Sequence, residues 1–123
     1  MTTDSTASDA TLLIIDDESS VCRALSRILR KRAGEIVTAQ TIVDAELVLD
    51  TKEVTHVLCD HLLGPGQPKG LETAIHWKQE YPSIQKLIIL TGTDAAFGDP
   101  PAGIDKVLPK TTDPMLLAEY LEL

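Results

Sequence analysis

Five polar residues stand directly after short apolar runs. Asp16 and Asp17 follow Leu12-Leu13-Ile14-Ile15, and Asp60 follows Val57-Leu58-Cys59. Thr91 follows Leu87-Ile88-Ile89-Leu90, and Lys110 follows Val107-Leu108-Pro109. Three carboxylates gathered at one point repel each other, and a hard divalent cation relieves that repulsion. An all-oxygen donor set favours Mg²⁺ over zinc or copper. A hydroxyl and an ammonium beside such a metal suit a phosphoryl group, whose oxygens the cations neutralise and the hydroxyl supports with a hydrogen bond. One carboxylate is then placed to act as nucleophile and form an acyl phosphate. Taken singly, the residues say less. Asp16 or Asp17 alone reads as a helix cap, Thr91 as a turn residue and Lys110 as a solvated cation. Only their conjunction points to a site.

Residues so far apart in the chain meet only if the fold collects them. Uninterrupted aliphatic runs, without alternation, predict strands buried on both faces, as in a parallel sheet. Such strands are expected over 12–15, 56–59, 86–90 and 106–108, with a weaker one over 35–39. A helix after Asp17 carries Val21, Leu25, Ile28 and Leu29 on one stripe and Arg23, Arg27 and Arg30 on another face. Lys31 and Arg32 fall in its last turn, where cations suit the helix dipole, and Gly34 ends it. A short helix over 44–49 turns Ala45, Val48 and Leu49 inward, and one over 71–81 presents Leu71, Ala74 and Trp77. Asp113 caps a last helix whose first residue is Pro114. Between Asp94 and Phe97 only a turn or two of helix fits, because Gly98, Pro100, Pro101 and Gly103 follow. Strands alternating with helices give a parallel sheet covered on both faces. Its strands' carboxyl ends share one edge, the edge where open α/β sheets bind ligands.

Composition narrows the classes. At 123 residues and 13.3 kDa the chain fits one domain, expected over 12–123 behind a flexible tail over 1–11. Hydrophobic residues make up 43% but aromatics only 3%, so the core is aliphatic. A net charge of −8 opposes contact with nucleic-acid phosphates or anionic lipid. No apolar run exceeds four residues, which predicts neither a membrane span nor a signal peptide, and hence a cytoplasmic protein. Cys22 and Cys59 read as buried small hydrophobes, too few for a disulfide framework or a four-cysteine zinc site.

With these motifs in hand the chain resembles a response-regulator receiver domain of two-component and phosphorelay signalling. The run Leu12 to Glu18 is similar to that family's first strand, Val57-Leu58-Cys59-Asp60 to its phosphoacceptor strand, Leu87 to Gly92 to its Thr/Ser strand, and Val107 to Lys110 to its lysine strand. The resemblance covers residues 11 to 122. It implies a flavodoxin-like, doubly wound five-stranded parallel sheet in the order 2-1-3-4-5, here with a short or irregular fourth helix. It implies that Asp60 accepts a phosphoryl group from a phosphohistidine on a histidine kinase or a histidine phosphotransfer protein. Asp17 and Asp60 would ligate Mg²⁺ directly, Asp16 through water, and the Leu62 backbone carbonyl would be a further ligand. Thr91 and Lys110 would contact the phosphoryl oxygens. Such a domain catalyses its own phosphorylation and slow hydrolysis but turns over no separate substrate, so it is not an enzyme in the usual sense. The implied partner docks near Ser19, Ser20, Arg23 and Thr111, and the protein is expected as a monomer or weak dimer.

Four departures from the family pattern bear on these expectations. The loop from Asp60 to Gly70 is about two residues longer than usual and places Leu62 where a polar side chain is frequent. Thr111 follows Lys110 in place of the family's cis proline, so the Lys110–Thr111 bond is either trans or costs about 2.5–4 kcal/mol. Val107 replaces an aromatic that moves with the Thr, and the stretch from Thr91 to Val107 is broken by prolines. The alternative these departures keep open is a receiver-like interaction module that works without phosphorylation. A haloacid-dehalogenase-like phosphatase is set aside, because its nucleophile lies on the first strand with an Asp two residues on, where this chain has Glu18 after the pair. Residues 64–70 match a phosphate-binding loop in composition only, since the spacing is wrong and two prolines remove amide donors. His61 reads as a loop histidine, and His56 and His76 as non-catalytic. The Arg23, Arg27 and Arg30 face reads as solvated or partner-facing.

Overall fold

The aliphatic runs form five strands: β1 (Thr11–Ile15), β2 (Glu35–Ala39), β3 (His56–Asp60), β4 (Lys86–Thr91) and β5 (Lys106–Pro109). All pair in parallel, in the order β2-β1-β3-β4-β5. The computed structural model describes residues 9–61, 70–92 and 103–123. Four helices accompany the strands: α1 (Ser19–Leu29), α2 (Ile42–Thr51), α3 (Gly70–Glu80) and α4 (Pro114–Leu121). The fourth helix expected near 94–97, the Leu62 carbonyl and most of the expected tail lie outside the described residues.

Side chains alternate across the sheet and divide the core in two. Leu13, Ile15, Val57, Cys59, Leu87 and Ile89 face α2 and α3, packing on Ile42, Ala45, Leu49, Ala74 and Trp77. Leu12, Ile14, Leu58, Ile88 and Leu90 face α1 and α4, packing on Cys22, Leu25, Leu29, Leu117, Ala118 and Leu121. Because both faces are covered, the central strands need no polar side, which is why β1, β3 and β4 read as unbroken apolar runs. β2 sits at the sheet edge with Glu35 and Thr38 exposed, and its sequence is weaker for that reason.

Several boundaries differ from expectation. Two residues expected in the tail belong to the fold: Ala10 is buried, its carbonyl accepts from the Gly34 N–H at 2.8 Å, and Thr11 pairs with Glu35. α1 ends at Leu29, and Arg30–Arg32 tighten into a 3₁₀ turn. Its buried stripe is Cys22, Leu25 and Leu29, whereas Ile28 is 43% exposed. With 100° per residue, Ile28 falls on the flank of a stripe centred on Leu25 and Leu29. α2 begins two residues before the expected start, because the Thr41 hydroxyl accepts from the Asp44 N–H at 3.1 Å and caps it. Val48 is only half-buried there. In α3, Ala74 and Trp77 are buried as expected, and the Leu71 side chain lies outside the description. Asp113 caps α4, accepting from the Met115 N–H at 2.8 Å, with Pro114 in the first turn. Cys22 and Cys59 are free, buried thiols whose pKa values burial pushes up.

Candidate functional site

Register brings the scattered residues to one rim. Ile15 pairs with Cys59, so Asp16 and Asp60 are the next residues on neighbouring strands. Asp60 pairs with Leu90, which puts Thr91 one step further on β4. Thr91 pairs with Pro109, which puts Lys110 one step beyond β5. Each site residue is thus offset by at most one position from its neighbour's. The Lys110 N–H closes the last step by donating to the Thr91 carbonyl at 2.8 Å.

The side chains converge on that rim. Lys110 Nζ lies 2.9 Å from Asp60 Oδ2 and 3.1 Å from Asp16 Oδ2. Asp16 and Asp60 are almost fully buried, with side chains 3% and 4% exposed, while Asp17 is exposed. Asp16, Asp17 and Asp60 each offer a carboxylate oxygen within 4.8 Å of the others. Asp16 does not cap α1; its Oδ1 instead accepts from the Glu18 N–H at 2.9 Å, which aims Oδ2 at the lysine. Burial lowers the Lys110 pKa, but its hydrogen bonds to Asp60 and Asp16 outweigh that, and the net shift is upward. Thr91 is buried at 4% exposure beside this group.

Charge counting tests whether a metal fits. Three carboxylates face one ammonium, two of the carboxylates are shut away from water, and all the donors are oxygen. That excess of negative charge in a poorly solvated place suits a hard divalent cation.

No cis peptide occurs among the described residues, so the Lys110–Thr111 bond is trans. The lysine nevertheless reaches both carboxylates. A compact turn supports it, with the Thr112 N–H and hydroxyl both donating to the Pro109 carbonyl, at 3.0 and 2.6 Å. Two of the three histidines stand apart. His56 is buried at the opposite end of β3, where its Nδ1 lies 2.7 Å from the Thr55 hydroxyl. His76 is exposed and pairs with Glu80 on its own helix. His61 is half-buried, and its backbone N–H donates to the Leu90 carbonyl.

Two supporting residues escaped the sequence reading. A Cβ on Gly70 would collide with the Asp60 backbone carbonyl, so only glycine lets α3 start against the end of β3. The Gly70 N–H donates to the His61 carbonyl at 2.8 Å and clamps the loop's exit beside its entry. Its signal was a glycine placed directly before a helical pattern. Cys22, from the buried side of α1, brings its Sγ to 3.5 Å from the Asp16 carbonyl.

No family model matches the sequence. The acid tolerance regulatory protein ActR of Sinorhizobium medicae (strain WSM419) is 27% identical over 84 residues, which are 68% of this chain and 42% of ActR. The chain therefore spans under half the length of that curated relative. Solved structures match far more completely. A CheY-like response regulator receiver domain from Methanospirillum hungatei JF-1 superposes with a TM-score of 0.80 at 24% identity, covering 94% of this chain and 92% of its own. The response regulator TrrA from Thermotoga maritima, solved in complex with Mg²⁺ and BeF, matches at 0.77 and 24%, covering 92% and 96%. A response regulator from Burkholderia pseudomallei, solved with a phosphorylated aspartic acid, calcium and citrate, matches at 0.78 and 22%, covering 92% and 66%. Strand order, helix placement and these superpositions agree: the chain has the flavodoxin-like fold of the CheY-like response-regulator receiver domains.

Proposed function

We propose that this protein is a phosphoacceptor receiver, phosphorylated on Asp60 in an Mg²⁺-dependent step of two-component signalling. The observation that carries the proposal is the Lys110 ammonium bridging the Asp60 and Asp16 carboxylates at a buried rim that also holds Asp17 and Thr91. The metal-bound and phosphorylated neighbours support it by likeness of fold.

In the transfer an Asp60 oxygen attacks the phosphorus of a phosphohistidine. The P–O bond forms as the P–N bond breaks, and the imidazole nitrogen keeps the electron pair. Asp17, Asp60 and the Leu62 carbonyl would hold Mg²⁺, with Asp16 acting through water. The bound metal supplies charge neutralisation on the phosphoryl oxygens. Lys110 then exchanges one carboxylate partner for a phosphoryl oxygen, and the Thr91 hydroxyl donates to another. Attack by water on phosphorus later breaks the bond to Asp60 and releases inorganic phosphate. The domain signals by its phosphorylated lifetime, through a shift between pre-existing conformations. The phosphodonor is a histidine kinase or histidine phosphotransfer protein docking near Ser19, Ser20, Arg23 and Thr111. The protein acts as a monomer or weak dimer in the cytoplasm. Among the described residues no helix is long and apolar enough to cross a membrane.

Incubation with acetyl phosphate and Mg²⁺, followed by intact mass, tests the proposal. One phosphoryl group is expected on the parent protein and none on Asp60→Asn. Labelling that persists in the variant moves the phosphorylation site away from Asp60, and absence of labelling in the parent overturns the proposal in favour of an interaction module.

A further inference from the structure

Next to the acidic rim, on the far side of the Asp16 backbone, α1 shares a groove of about 440 Å³ with the end of β2 and the start of α2. Arg23, Arg27 and Arg30 line one side of it, and Thr38, Gln40 and Asp44 line the other. The three guanidiniums stand at i, i+4 and i+7 on one helix, spanning roughly 10 Å along its axis. Like charges at that spacing repel. The chain has acidic residues in excess, giving a net charge of −8, yet among the described residues none forms an ion pair with any of these arginines. Asp44 is the one carboxylate lining the groove among the described residues, and it makes no ion pair either.

We propose that this groove binds a small organic or inorganic polyanion carrying two or more phosphates. Guanidinium is permanently charged, and its planar fork of donors matches phosphate oxygens. A row of three spans more length than one phosphate fills, so the ligand carries several. The Thr38 hydroxyl and Gln40 amide add neutral donors on the facing wall, and Asp44 disfavours a ligand whose charge crowds that wall. The volume falls in the range of small-molecule sites, roughly 300–1,000 Å³. The groove is open to solvent along its length but has a floor that includes buried Cys22 and Ala39, which suits a compact ligand. A long nucleic acid, which would run beyond the groove, is disfavoured by the chain's net charge of −8.

Calorimetric titration with inorganic tripolyphosphate, in metal-free buffer with a chelator, tests this. One-to-one binding is expected for the parent and, equally, for Asp60→Asn. Arg27→Gln alone weakens it about tenfold, the order expected for losing a charge-assisted hydrogen bond. The triple change Arg23→Gln, Arg27→Gln and Arg30→Gln abolishes it, with circular dichroism confirming the fold. A matched triple, Lys31→Gln, Lys52→Gln and Lys106→Gln, removes the same charge elsewhere and leaves binding in place. Absence of binding at about 1 mM, equal weakening by the lysine triple, or loss in Asp60→Asn overturns the proposal. So does binding of polyglutamate where tripolyphosphate fails, which would give the whole groove, and not only its Ser19 and Arg23 end, to a protein partner.

Discussion

The two ends of the sheet hold similar kinds of polar side chain and treat them in opposite ways. At the amino end, one ammonium meets two carboxylates that are open to water, 31% and 70% exposed. Lys86 sits 3.2 Å from Glu122 and 4.0 Å from Asp105, with the lysine 29% exposed. Thr55 exchanges hydrogen bonds with the Thr11 backbone and meets the His56 ring. At the carboxyl end, three carboxylates share one ammonium, and two of them are almost dry. At the amino end water screens the excess negative charge, while the carboxyl end keeps its excess nearly dry, where a metal and a phosphoryl group together would settle it. Exposed ion pairs contribute little to stability, so the amino end tolerates change where the carboxyl end does not.

Removing the single cation is the severest way to break this contrast. Lys110→Ala leaves two nearly buried carboxylates facing each other. Discounted for the lysine's partial exposure, a loss of about 2–3 kcal/mol is expected at neutral pH without metal. The loss shrinks when Mg²⁺ is added or when the pH falls far enough for the pair to share a proton. Urea denaturation with and without Mg²⁺ measures it, and an Mg²⁺-independent loss would show that the lysine is not balancing those charges. Lys86→Ala at the other end should cost under about 1 kcal/mol, with no Mg²⁺ effect.

Steric pressure at the rim ranks next. Gly70→Ala forces a methyl into the Asp60 carbonyl, and a destabilisation of about 2 kcal/mol is expected. Gly92→Ala is the control, because its added Cβ would meet only the Lys110 side chain at an ordinary 3.8 Å. Comparable losses from the two substitutions would mean that the close approach is not what Gly70 permits.

Mg²⁺ itself gives a smaller effect. At tenfold excess over its dissociation constant it should stabilise the parent by about 1.4 kcal/mol, and Asp17→Asn should remove most of that. A thermal scan decides the matter, and an unchanged Mg²⁺ response in the variant would take Asp17 out of the donor set.

The amino end has its own, weaker signature. Burial lowers the His56 pKa below its ordinary 6.5. The folded state then binds fewer protons than the unfolded chain. The stability His56 contributes is complete above about 6.5 and drains away as pH falls from there toward its folded pKa. His56→Gln should therefore flatten the stability profile between pH 7 and pH 5. An equally steep profile in the variant would place the acid sensitivity elsewhere.

Much of this architecture is readable along the chain because its causes are local. Unbroken aliphatic runs mark strands covered on both faces, and the residue ending each run is the one that reaches the rim. Asp113-Pro114 announces a helix start through its own side-chain chemistry. Thr41-x-x-Asp44 does the same for α2, although its earlier start went unread. What stayed hidden depends on approach between segments. The need for Gly70 arises from the backbone of Asp60, and the exposure of Ile28 from how α1 lies on the sheet. The reach of Lys110 through a trans peptide depends on the turn around Pro109 and Thr112. The Arg23, Arg27 and Arg30 face was legible as charge, but not as one wall of a cavity.

Trp77 is the sole tryptophan; it is wholly buried under the sheet, and its indole N–H donates to Glu46 of α2 at 3.0 Å. Its emission on selective excitation is therefore an optical probe of the α2–α3 layer and is blind to the layer built by α1 and α4. Melting curves followed by that emission and by far-ultraviolet dichroism will superimpose if the two layers come apart in a single step. They will separate if one layer loosens first.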